Sequence, residues 1–175
     1  SNPPAGTYLS NPGVTVTASN APGWTFLRWA GDASGTTPVT TVTMNGGRSV
    51  QAIFGTAIGP SVAAGNGSVS NNPSLSLYPY GSITRLMGLP QAGSFFRYWN
   101  GATGSNTVSP LDFTVTNGNP SITATFGVLP PTRLSLTLLV NGAGTVAKNQ
   151  PVGLHTNGNV VTVTAVPDSG QLITG

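Results

Sequence analysis

Aligned against itself, this 175-residue chain contains three copies of one unit, and no other feature constrains its fold as strongly. Residues 4–28 align without a gap on residues 151–175. Eight of these 25 positions are identical, including the run Val14-Thr15-Val16-Thr17-Ala18 on Val161-Thr162-Val163-Thr164-Ala165. The middle copy joins through other landmarks. Gly23 to Phe26 and Trp29 to Gly31 match Gly93 to Phe96 and Trp99 to Gly101; Ser49 to Gly55 match Ser121 to Gly127; Gly65-x-Gly67-x-Val69 matches Gly142-x-Gly144-x-Val146. The offsets run from 70 to 77 residues, which sets the expected domains: 1–56 for repeat one, lacking its first strand; 57–128 for repeat two; and 132–175 for repeat three, the first half of a unit.

Within each copy the pattern is that of short strands. Val14 to Ala18 alternates apolar and polar, the period-2 signature of a strand with one buried face, and Val and Thr suit it. Further strands are expected over Trp24 to Trp29, Thr40 to Met44 and Ser49 to Phe54, with another around Val69 and Val146. Asn45-Gly46-Gly47, Asn117-Gly118 and Asn157-Gly158 are expected to give the positive φ of tight turns. Composition agrees once the repeat is seen: 24 Gly and 15 Pro would suit low complexity in an aperiodic chain, but here they fall at strand ends. The fold class is therefore all-β, tandem small β-domains of about five short strands each, β-grasp-like or a small β-sandwich, in an elongated array. The expected core is Phe26, Trp29 and Phe54 in copy one and Phe96, Trp99 and Phe126 in copy two.

The line Gly-x-Tyr, Val-Thr-Val-Thr-Ala, Gly-Trp-x-Phe-x-x-Trp-x-Gly, Thr-Val-Thr-Met, Ser-Val-x-Ala-x-Phe resembles the divergent internalin-B-type B-repeats of bacterial surface and secreted proteins. Copy one carries it best. Copy two has Ser94 in place of Trp24, and its Val-Thr alternation loosens to Ile83-Thr84-Arg85-Leu86-Met87; copy three stops before its Trp. The resemblance implies a small β-rich unit related to the β-grasp, strung in series on large extracellular proteins as stalk, spacer or adhesive segment.

Charge argues against most chemistry. Six Lys+Arg and three Asp are scattered singly, so no basic patch for nucleic acid forms, and no apolar run approaches the 18 or so residues of a membrane span. With no Cys, thiol chemistry and disulfides are absent. His155, the only histidine, falls on the position of Tyr8 and Tyr78, which makes it an aromatic site filled once by His. Asp32, Asp112 and Asp168 occupy different points of the unit, so neither a carboxylate pair nor a calcium cage is expected, and Asp32 is expected to cap its own turn. Lys148, the only lysine, aligns with Asn71, and an isopeptide crosslink is not expected. No catalytic residue, cofactor or metal site is expected.

The functional lead is the set of aromatics that break the repeat symmetry. Trp24 becomes Ser94 in copy two; Phe95 and Tyr98 stand where copy one has Thr25 and Arg28; Tyr78-Pro79-Tyr80 is a triplet outside the shared core. Exposed, these rings suit stacking on surface glycans; buried, they pack against neighbouring repeats of the same chain or identical subunits. If the ends are natural, strands near Leu134 to Val146 are also expected to complete copy one of another molecule, building a filament by strand addition.

Overall fold

The structure, a computed structural model, describes residues 13–150 and 154–174. Among these residues no helix forms, and the regular structure is entirely β. Copy one supplies β1 (Gly13–Thr17), β2 (Thr25–Gly31), β3 (Val39–Thr43) and β4 (Val50–Thr56). Copy two supplies β5 (Ser61–Ala64), β6 (Gly67–Asn72), β7 (Tyr78–Pro79), β8 (Ile83–Pro90), β9 (Ser94–Gly101), β10 (Leu111–Thr114) and β11 (Ile122–Val128). Copy three supplies β12 (Gly144–Lys148) and β13 (Val163–Pro167).

These strands make two compact units. Among the described residues, unit 1 holds those up to Ile58 together with Leu75–Ser82 and Val115–Pro120; unit 2 holds Gly59–Ser74, Ile83–Thr114 and those from Ser121 onward. In unit 1, β1 pairs with β3, and a second sheet has the order β2-β4-β7. In unit 2 the sheets have the orders β10-β8-β6, β5-β11-β9 and β12-β13. All pairings are antiparallel except β5 on β11.

Strict alternation would put Phe26 and Trp29 on opposite faces of their strand. A bulge between Phe26 and Arg28 removes the conflict: Phe26 faces Phe54 across the sheet, Arg28 faces Ile53, and Leu27 is the extra residue. Both rings therefore turn inward, at 8% and 6% exposure. Copy two repeats the device, with Phe96 opposite Phe126, Tyr98 opposite Thr125, and Arg97 as the extra residue. Trp29 and Trp99 also satisfy their indole N–H groups inside their units. Trp29 Nε1 donates to Thr37 O at 2.9 Å and Trp99 Nε1 to Val108 O at 3.0 Å.

Between the two three-stranded sheets of copy two, glycines make room for rings. A Cβ at Gly67 would stand 2.6 Å from the Phe126 ring, and one at Gly88 would collide with Phe96, so β6 and β8 approach the β9–β11 layer as a small sandwich. Trp99, Leu86, Ile122 and Ala124 fill the space between. Phe54 and Phe96 are half-buried, while Tyr78, Val115, Phe113, Val42 and Ile58 are core residues outside the expected set.

Several expectations need correction. Of the three Asn-Gly turns, only the one at Gly158 takes a positive φ on its glycine. Near Gly118 the positive φ falls on Asn119 (φ 47), and Gly118 is needed because a Cβ on it would stand 2.8 Å from Pro22 O and 2.9 Å from the Gly23 backbone. Leu134 to Val140 forms no strand. Among the described residues its only pairing is an isolated bridge from Leu134 to His155, and the strand of this stretch that forms there is β12, from Gly144. In β12–β13, Gly144 opposes Pro167 just as Gly67 opposes Pro90 in β6–β8, yet Val163 and Val166 remain exposed.

Candidate functional site: an uncharged aromatic groove

A single local device recurs in all three copies. Trp24 N donates to Ala21 O, Ser94 N to Gln91 O and Gln171 N to Asp168 O, each closing a four-residue turn whose third residue is a glycine at φ 78, 76 or 80. That is the type II geometry, which needs a positive φ at its third position and therefore favours Gly there. The residue leaving the turn occupies an equivalent slot in each copy, and its identity changes from Trp24 to Ser94 to Gln171. Ser94 is 6% exposed, whereas Trp24 is half-buried.

Trp24 gains a partner from copy two. Thr56 and Gly55 at the end of β4 pair with Tyr78 and Pro79, and Tyr80 N donates to Phe54 O at 3.0 Å. The two-residue strand thus extends the copy-one sheet and sets the Tyr80 ring 5.6 Å from the Trp24 ring, tilted by 52°. A second turn follows, with Ser82 N on Pro79 O and Gly81 at φ 79, and Tyr80 stays 67% exposed. The two rings flank a groove of about 370 Å³ bordered by Ser19, Gln51, Ala52 and Phe54. No charged residue lines it. Its chemistry is that of ring faces with a few neutral hydrogen-bonding groups.

The five candidate aromatics are thus sorted by the fold. Trp24 and Tyr80 come together at this groove. Tyr78 is fully buried, its Oη accepting from Leu75 N at 2.9 Å, so its ring belongs to the interior of unit 1. Phe95 and Tyr98 line a different cleft, in unit 2. Nothing in the sequence links Trp24 to Tyr80, because the pair depends on the β4–β7 pairing.

Two of the acids and two of the arginines are engaged in structure. Asp32 does not cap its own turn: Oδ2 accepts from Ser49 N at 2.7 Å and Oδ1 from Arg48 at 2.8 Å, tying the ends of β2 and β4 together. The Ser49 amide, then Arg48, holds the Asp32 carboxyl below its ordinary value. Asp112 takes Arg85 in a bidentate pair at 2.7 and 3.0 Å, which raises the Arg85 guanidinium further. His155 is 6% exposed and pairs by backbone with Leu134, as an inward aromatic position would. Among the described residues, no group of three or more His, Asp or Glu side chains stands close enough to hold a metal.

No curated protein and no solved structure shows a match to the chain. A family of divergent InlB B-repeat domains matches residues 1–58 and again residues 61–128. With two matches side by side, and the aromatic core repeated in each, this chain belongs to the divergent InlB B-repeat family.

Proposed function

We propose that the chain is a non-catalytic structural segment of a large bacterial cell-surface or secreted protein, a stalk of repeats that holds other parts of its parent away from the cell. The observation that carries this reading is the repetition of one core. Phe26–Trp29 and Phe26–Phe54 stand at 5.2 and 5.8 Å, and Phe96–Trp99 and Phe96–Phe126 at 5.2 and 5.9 Å. Tandem units of that kind add length by adding copies. The family's association with bacterial surface proteins supports an extracellular location. A stalk role predicts that each whole repeat added to the chain raises the maximum dimension in X-ray scattering by a constant increment. A dimension that stays flat as copies are added defeats the reading.

A second reading rests on the Trp24–Tyr80 groove, an uncharged pair of tilted rings that suits adhesion to neutral surface glycans. On a neutral-glycan array, Trp24→Ala should lose about five-fold or more in binding while circular dichroism shows the fold intact, since stacking on one ring is worth about 1 kcal/mol or more. An array on which the unaltered chain binds no neutral glycan removes it.

A further inference from the structure

Unit 2 carries a second cleft, with a different electrostatic character. It runs along the outer edge of β9 and encloses about 660 Å³, inside the range of about 300–1,000 Å³ typical of ligand sites. Phe95, Tyr98, Val108 and Leu136 give it apolar and aromatic walls, and Arg97 and Lys148 stand among them. The Arg97 guanidinium lies 5.7 Å from the centre of the Tyr98 ring, so cation and ring face are presented together. Thr107, Ser135 and Thr137 add hydroxyls.

Charge is scarce in this chain, which makes its placement informative. Of six basic residues, Arg48 and Arg85 are neutralised by Asp32 and Asp112. Of the four that remain without a carboxylate partner among the described residues, two line this one cleft, and no acid lines it. Burial holds the Lys148 ammonium below its ordinary value, and an anion beside it would raise it again. An extended peptide finds β9 a poor template, because its outer edge is interrupted where Trp99 and Asn106 exchange backbone hydrogen bonds at 2.6 and 3.1 Å. Ring faces, hydroxyls and two cations suit a ring that bears both hydroxyls and a carboxylate.

We propose that this cleft binds an acidic saccharide, a uronic-acid unit whose carboxylate meets Arg97 and Lys148 while its ring lies against Tyr98 and Phe95. The site involves neither Trp24 nor Tyr80 and stands or falls apart from the neutral-glycan groove.

The test is calorimetric titration of the full chain with tetragalacturonate, with its neutral galactose counterpart, and with a short poly-glutamate. Tetragalacturonate should bind, with affinity falling several-fold between low and physiological salt, and the neutral oligosaccharide should bind at least about ten-fold more weakly. Arg97→Gln and Lys148→Gln should each cost about ten-fold, the effect of losing one charge-assisted hydrogen bond, while Lys148→Arg retains binding and Trp24→Ala leaves it unchanged. Circular dichroism of each variant checks that the fold is intact. Three results would overturn the proposal: no heat with tetragalacturonate at millimolar concentration, equal binding of the neutral sugar, or uronate binding that folded Lys148→Gln leaves unaltered. Equal or tighter binding of poly-glutamate would also overturn it, by showing a site for acidic peptides.

Discussion

Copies one and two have the same interior and different rims. Their aromatic triads superimpose in spacing and tilt, with interplanar angles of 56° and 75° in one and 52° and 74° in the other. Both strands that carry them bulge at the same point, and both tryptophans donate to a carbonyl in the loop that follows. Outside that interior the copies diverge. The slot after the type II turn holds Trp24 in one and Ser94 in the other, and the bulged residue is apolar Leu27 in one and cationic Arg97 in the other. A repeat that keeps its core and varies its rim separates what folds from what can recognise, so binding chemistry should be sought at positions where the copies disagree.

The largest expected effect comes from attacking the shared core. Trp29→Ala and Trp99→Ala should each destabilise their own unit by about 3–5 kcal/mol, as truncation of a buried tryptophan does. Urea unfolding followed by amide hydrogen exchange, which reads the units separately, would measure both. Costs that differ by more than about 2 kcal/mol would break the equivalence of the two interiors.

A smaller effect is expected at the paired glycines that end β2 and β9. Gly31 and Gly101 take φ of 81 and 83, and a Cβ on either would run into a backbone carbonyl, Ser49 O or Ser121 O. Alanine at either site should cost about 2 kcal/mol or more, from left-handed strain and the displaced strand together. Equal melting losses for Gly31→Ala and Gly101→Ala sharpen the comparison; no loss at one of them shows that strand pairing there can give way.

The strands that were legible in the sequence are those whose side chains alternate over a buried face, such as Val14 to Ala18 and Ser49 to Phe54, and the structure places strands at Gly13–Thr17 and Val50–Thr56. β7 left no such trace, because two residues, Tyr78 and Pro79, are too few to show a period. The bulges were hidden for a related reason. A three-residue spacing from Phe26 to Trp29 marks both as inward only once the extra residue, Leu27, is known. At the candidate sites, the asymmetry of Trp24, Tyr80, Phe95 and Tyr98 was visible in the alignment of copies, but which ring meets which was not. The meeting of Trp24 with Tyr80 depends on long-range strand pairing, and Lys148 reaches the Tyr98 cleft from a different copy.

His155 offers a comparison with Tyr78, which fills the equivalent position of copy two. The Tyr78 hydroxyl is hydrogen-bonded to Leu75 N, whereas His155 Nε2 is buried with no hydrogen-bond partner among the described residues. A buried polar atom left unsatisfied costs about 1–3 kcal/mol, so His155→Phe, which removes it and keeps a flat ring, should stabilise the region by about 1 kcal/mol. Slower exchange of the Leu134 and His155 amides would register the gain. Faster exchange would mean that the imidazole contributes something a ring alone does not.

The smallest effect separates the copies by pH. Asp32 N and Ala102 N both donate to the facing carbonyl, Ser49 O or Ser121 O, at 2.7 Å, but only Asp32 adds a carboxylate that also takes Ser49 N and Arg48. Those partners hold its carboxyl below the ordinary value of 3.8. A carboxyl whose value is lower folded than unfolded lends stability in full above its unfolded value, and that stability is lost as pH falls through the folded value. The increment in unit 1 should therefore be present at pH 5 and fade below about pH 4. Asp32→Asn should remove it at pH 5 and flatten the dependence, leaving unit 2 unchanged. The ion pair lies at the surface and is screened by salt, so the shift should be small and larger at low ionic strength. If unit 1 of Asp32→Asn loses as much stability between pH 5 and pH 2.5 as the unaltered chain, the tie between β2 and β4 is a packing contact, and the two copies are electrostatically alike at that corner.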